Sequence, residues 1–316
     1  MILISCSKPA EEPFVQVSFC LSGPETKVTG VSYDDESAVA CWSVYVFDVS
    51  TDWFRYASSA DASPVVLSLK AGRPYRCLAL VNSSPEGVVS ADDLAGRMVS
   101  LADNAPGQLL MYGERTFIPV AGMSEVDLHV KRLVVKLKIQ GISVDFSSCP
   151  EWTGKTLLLK HLYVTNAYMT STFGEDPLSV SPARSAWYNT LGWHGAANAS
   201  ATVDALLSDR NINASIDETH PYTTSHCFYF FPNPVEEDSF RTDIWSPRHT
   251  RLVIEASIDG NTYYYPIDIP PVNRNCVCLA SNVVIHGPGW SHPEGGTFAE
   301  ATVEVDWNTA DAIILD

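Results

Sequence analysis

Along most of the chain apolar residues alternate with polar ones at a period of two, the spacing of a strand with one face in a core. Val15, Val17, Phe19 and Leu21 alternate with Gln16, Ser18 and Cys20. Val44, Tyr45, Val46 and Phe47 form a two-sided apolar run that ends at Asp48. Val65 to Leu69 leads into the turn Ala71-Gly72, and Tyr75 to Val81 is another buried run. Further strands are predicted over Leu133 to Ile139, Thr156 to Val164, Cys227 to Phe231, Leu252 to Ile258, Tyr263 to Ile269, Val283 to Ile285 and Thr302 to Trp307. β-branched and aromatic residues are frequent in them, and Gly, Pro, Asn and Asp separate them. Asp259-Gly260 is a hairpin signal between two such runs. Only two helices are predicted. Ser90 caps the first, with Asp92 and Asp93 in its first turn and Leu94, Met98 and Leu101 on one face. The second is short, over Thr202 to Ser208.

This pattern predicts an all-β fold, most simply two β-sandwich domains in series with one or two short helices. The 316 residues suit two domains. The division is expected near Gly122 to Glu125, after the irregular Pro119-Val120-Ala121-Gly122 stretch. That gives a tether over 1–13, an N-terminal sandwich over 14–124 and a C-terminal sandwich over 125–316. The long polar stretch from Asp176 to Pro221 is low in strand signal and is expected to be a surface excursion of the second domain.

Charge narrows the function classes. There are 37 acidic against 20 basic side chains, a net charge of -17. Phosphate backbones need a basic surface, so sequence-blind nucleic-acid binding is excluded as a partner class. A polybasic membrane patch is excluded on the same ground. No apolar run approaches the roughly 20 residues of a spanning helix.

The eight cysteines are scattered, and only Cys276 and Cys278 are close. Two residues apart on a strand they share a face, which is poor geometry for bridging each other. No CxxC pair supports a zinc site, and His226 beside Cys227 is too little for a metal, so Cys227 is expected to be a buried apolar residue. Cys6 differs. Leu3-Ile4-Ser5-Cys6 has the form of a bacterial lipobox, followed by a polar, Pro-containing tether from Ser7 to Pro13. The charged start and longer apolar stretch of a full signal are missing, so a truncated or misassigned start is expected. A lipid on Cys6 would anchor the protein, not span a membrane.

Each catalytic motif fails a required position. Gly154-Lys155-Thr156 resembles the end of a phosphate-binding loop, but Cys149 stands where the loop needs glycine. Gly289-Trp290-Ser291-His292-Pro293 has half of a nucleophile elbow, with Pro293 in place of the closing glycine. Pairs such as Asp34-Asp35 and Glu236-Glu237 sit in polar turns. No catalytic residue, metal or cofactor is therefore assigned, and no enzyme is expected. Trp152, Trp187, Tyr188, Trp193 and His194 lie in or near the long loop region. Trp187 and Trp193 are candidates for a glycan-binding platform, the function of another class that the residues allow.

Several segments together resemble the FimA-type fimbrillins, the type V pilins of Gram-negative surface fimbriae. Ser43 to Asp48 is similar to that family's early "vyvFd" strand. Gly72-Arg73-Pro74-Tyr75, running to Ala79-Leu80-Val81-Asn82, is like its strand that ends in Asn. Lys131 to Leu137 is similar to its "R-l-v-a-K" strand. Gly260 to Ile267, Asn273-Arg274-Asn275 and Ile285 to Gly289 resemble its "tyYYpi … rN … itG-G" block, and Val303 to Trp307 its closing strand. The pieces follow the family's order from about Cys6 to the C-terminus.

The resemblance implies two transthyretin-like sandwiches and export as a lipoprotein to the outer membrane. It implies assembly with other fimbrial subunits, as a homo- or hetero-polymer, and a role in cell adhesion through a host or bacterial surface receptor. In that family a trypsin-like protease cuts after an Arg following the first strand. Loss of that strand opens a groove, which a neighbour's C-terminal strand fills. The corresponding first strand is Phe14 to Leu21. The candidate donor is Val303 to Leu315, with Val303, Val305, Trp307, Ile313 and Leu315 as apolar contacts. The bland alternative is that this is simply the last core strand of the second domain. The chain departs from the family at the cut site: no Arg precedes Arg55, and Lys27 is the only basic residue in the expected loop. Either Lys27 is the processing site, or the strand is retained and the protein is a lipid-retaining anchor or accessory subunit.

Overall fold

The computed structural model describes residues 13–22, 36, 38–51, 53–122, 125–174, 183–190, 200–233, 235–236, 246–293 and 303–310. The chain forms two compact units. The first draws on Met1–Pro24, Val39–Ala95 and Met111–Val130, the second on Glu25–Ala38, Gly96–Leu110 and Lys131–Asp316. Both are built from β-sheets, as the alternating pattern predicts.

The first unit is a sandwich. One sheet holds β2 (Trp42–Asp48), β3 (Phe54–Ser59), β5 (Tyr75–Val81) and β6 (Met111–Phe117), in the antiparallel order β3-β2-β5-β6. The other holds β1 (Phe14–Ser22), β4 (Val65–Lys70) and β7 (Glu125–His129), in the order β4-β1-β7. Trp42, Val44, Val46, Cys77, Ala79 and Val81 point inward from the first sheet, and Val17, Phe19, Leu69, Val126 and Leu128 meet them from the second. Alternate residues on each strand therefore make the core, as sheet-on-sheet packing requires.

Gly113 in β6 sits against the backbone at the end of β7. A Cβ there would lie 2.1 Å from the His129 carbonyl oxygen and 2.9 Å from its carbon. Both atoms are main chain and cannot swing aside. Gly113→Ala should destabilise the first unit by about 3 kcal/mol, read as a lowered urea midpoint at unchanged slope.

The second unit places β8 (Val135–Ile139) between β12 (His226–Phe230), antiparallel, and β15 (Val277–Ile285), parallel. The short β9 (Ile142–Val144) continues along β15 in parallel, and β16 (Val303–Ala310) runs antiparallel on its other side. A second sheet holds β10 (Leu157–Thr165), β13 (Arg251–Ile258) and β14 (Asn261–Asp268), with β11 (Ala214–Ile216) on the free side of β10. Asp259 and Gly260 both take positive φ, 51° and 82°, as a two-residue hairpin between β13 and β14 needs.

The helices are short. α1 (Ala91–Gly96) is capped by Ser90, whose Oγ accepts from the Asp93 N–H at 3.0 Å. It stops at Gly96, two residues before Met98, because Met98–Ser100 pairs as a strand with Thr170–Thr172 and Leu101 begins a 3-10 turn. Met98 is thus 68% exposed and not part of a helical core face. α2 (Ala201–Leu207) buries Val203, Leu206 and Leu207.

Three other expectations change. Glu125–His129 pairs with Phe14–Ser22 in the first unit, and Gly96–Leu110 belongs to the second, so the units interleave instead of parting at one cut after 124. The 176–221 stretch is partly core: Trp187 and Tyr188 pair with Ala167 and Tyr168 and are buried. Cys227 is exposed, while its neighbour His226 is the buried one, held by Asp209 at 2.6 Å and Tyr222 at 2.7 Å.

Candidate functional site

β1 is the middle strand of its sheet. Phe14 to Phe19 pair antiparallel with Lys70 to Val65, and Ser18 to Ser22 pair parallel with Glu125 to His129. Its ends are fastened too. The Pro13 carbonyl accepts from the Ala71 N–H at 2.8 Å, and Ser22 Oγ lies 2.9 Å from His129 Nδ1. Val17 and Phe19 are fully buried, and the Phe19 ring meets Phe117 edge-on at 5.8 Å. The strand therefore fills a slot with backbone partners on both sides and two apolar anchors spaced by the strand period.

Cys20, on the opposite face of β1, has Glu125 and Asp127 close by, with ligand atoms within 4.8 Å of one another. Burial, then the Glu125 carboxylate, pushes the thiol above its ordinary range.

β16 lies at the edge of its sheet. In backbone register Val303 pairs with Ile285, Val305 with Val283 and Trp307 with Ala280, with a shift between Ala280 and Asn282. It is the last of the described strands of the second unit. Among the described strands it has a partner on one side only. Cys6, Lys27, Trp193, Ile313 and Leu315 lie outside the described residues.

The glycan platform does not survive at Trp187. Its side chain is fully buried and packs edge-on against Tyr168 at 4.6 Å, with Val235 completing the cluster. Trp152 is buried as well, between Phe146 at 5.4 Å and Tyr263 at 5.1 Å. Both are packing residues, the usual fate of a large ring near an apolar core. Among the described residues the exposed aromatics are elsewhere, at Phe14 on β1 and at Trp53, Phe54 and Tyr56 just before and along β3. Sequence alone did not mark β3, because Arg55, Ser58 and Ser59 dilute its apolar pattern.

No family model and no curated protein matches the sequence. The fold, in contrast, is that of bacterial fimbrial and cell adhesion proteins of known structure. Fimbrilin (FimA) from Porphyromonas gingivalis is similar with a TM-score of 0.63 at 16% identity, covering 93% of this chain and 96% of that one. A candidate cell adhesion protein from Parabacteroides distasonis gives 0.64 at 16% identity, over 95% and 97%. A tip fimbrial protein from P. gingivalis, with a C-terminal truncation, gives 0.54 at 14% identity, over 94% and 99%.

Proposed function

We propose that the chain is a structural subunit of a cell-surface fimbrium, joined to its neighbours by β-strand donation and serving cell adhesion. The observation that carries this reading is the place of β1 in the middle of the β4-β1-β7 sheet. Loss of a middle strand leaves one slot with unpaired backbone groups on both walls and empty sites where Val17 and Phe19 stood. An incoming strand that runs in the direction of β1 restores both sets of hydrogen bonds, and apolar side chains two residues apart refill the sites. β16 has the form to be given: an edge strand with Val303, Val305 and Trp307 at that spacing, continued in sequence by Ile313 and Leu315. The fold shared with FimA along nearly the whole chain supports the same reading.

The partners in this reading are other fimbrial subunits, in a homo- or hetero-polymer, and a host or bacterial surface receptor. Subunits that each carry -17 repel at a distance, so short-range strand insertion must hold the fibre. Cys6 carries the lipid that brings the subunit to the outer membrane, and Lys27 is the place where β1 is released. The lack of any Arg before Arg55 favours a second reading, an uncut subunit that keeps its lipid and anchors the fibre.

Deleting Asn308 to Asp316 should abolish polymer ladders in gels of surface extracts; unchanged ladders overturn the donor role of the last strand. Sequencing the N-terminus of the surface protein separates the two subunit types. A start at Val28 marks a processed pilin, and a lipid-modified start at Cys6 marks the anchor.

A further inference from the structure

The connection between β1 and β2 does not stay with the unit that holds both strands. Ser22 and Trp42 belong to the first unit, while Glu36, between them, belongs to the second. Glu36 is buried there, only 8% exposed, whereas Ala38 and Ala40 are exposed. One carboxylate oxygen, Oε1, accepts a hydrogen bond from the Tyr229 hydroxyl at 2.6 Å and pairs with the Lys136 ammonium. The main-chain carbonyl of Glu36 accepts from Arg132 Nε at 3.1 Å.

The three donors are prepared for this. Lys136 and Tyr229 stand opposite each other on β8 and β12, so both side chains rise from one face of the sheet. Arg132 is positioned through its amide, which donates to Asn275 Oδ1 at 3.1 Å. Asn275 itself takes the left-handed backbone, φ 63°, with its N–H on the Val134 carbonyl at 2.9 Å. All three donor residues are buried to 6–7% exposure. A buried ammonium needs a counter-charge, and only a carboxylate supplies both that charge and the acceptor for Tyr229.

Just beyond Glu36 the chain is fixed a second time, in the first unit. The Ala40 N–H donates to Asn82 Oδ1 at 2.9 Å, and the Cys41 carbonyl accepts from the Asn82 N–H at 2.9 Å. The entry into β2 is thus held at both ends by contacts that do not involve β1.

We propose that Glu36 is a carboxylate clasp that fastens the chain ahead of β2 to the second unit, so that the entry into β2 is held by contacts other than those of β1. The clasp stands on this geometry and holds whether or not β1 is ever removed in the assembled protein.

Hydrogen exchange of the full chain, read by mass spectrometry over residues 37–41 and over β5, tests it. In Glu36→Gln, which keeps the shape and removes the charge, exchange over 37–41 should rise about tenfold while β5 stays as in the parent. Tyr229→Phe keeps the ion pair, removes one hydrogen bond and should remain folded; it should raise exchange over 37–41 by a smaller factor. Exchange within about twofold of the parent in both variants overturns the clasp. So does an equal rise in β5, which would mark general loosening instead of local release.

Discussion

Replacing Val17 and Phe19 together by alanine lowers the stability of the first unit by about 5 kcal/mol. Both side chains are fully buried, and Phe19 also loses its edge-on contact with Phe117 at 5.8 Å. Burying a phenylalanine and then deleting it costs about 3–5 kcal/mol, because the cavity adds to the lost transfer energy. The valine adds to that, though less than additively, since the two are neighbours on one strand face. Against a total of about 5–15 kcal/mol for an ordinary domain, the loss is a large fraction. Chemical denaturation should show a separate, earlier transition for the first unit. Hydrogen exchange should show 14–22 opening ahead of 157–165. A single transition at the parent's midpoint would mean that β1 is not the anchor of that core. The result bears on assembly, since a strand held by two side chains can be exchanged for another strand that brings two of its own.

Most of the strands were legible in the sequence because both conditions for reading them were met. Val15 to Leu21, Tyr75 to Val81 and Leu252 to Ile258 combine β-branched or aromatic residues with clear turn residues at their ends. The Asp259-Gly260 hairpin was legible for a stronger reason, since few residue pairs tolerate two positive φ angles in succession. Strands that lack a regular apolar pattern were not legible. Phe54–Ser59 is an exposed edge, and Met111–Phe117 interrupts its apolar residues with Gly113, Glu114 and Arg115. The mistaken extent of α1 has a different cause. Leu94, Met98 and Leu101 fit a helical face, but tertiary pairing with Thr170–Thr172 takes Met98–Ser100 into a strand. The interleaving of the two units was invisible for the same reason, because parallel pairing of Glu125–His129 with β1 is a long-range event that no local pattern encodes. The clasp was hidden as well. Glu36 follows the Asp34-Asp35 pair, which reads as polar-turn charge, and only the fold shows that Lys136 and Tyr229 take Glu36 out of water.

Trp187→Ala should cost the second unit about 3–5 kcal/mol, the range for emptying a fully buried tryptophan site. The indole is fully buried and packs on Tyr168 at 4.6 Å, on the short Trp187–Tyr188 strand that pairs with Ala167–Tyr168. Removing it leaves Tyr168 and Val235 facing a void that the paired backbone cannot close. Trp53 supplies the contrast. It is 45% exposed, with the Arg55 guanidinium 4.3 Å over its ring. An exposed cation–π pair is worth roughly 0.5–1 kcal/mol, so Trp53→Ala should shift stability by no more than that. Thermal unfolding of the two variants side by side separates a core ring from a surface ring. On a glycan array, a loss of signal in Trp187→Ala that tracks its lowered melting temperature would be an unfolding effect. A Trp187→Ala protein as stable as the parent, yet without a sugar signal that the parent shows, would instead make Trp187 a ligand contact and overturn its assignment to the core.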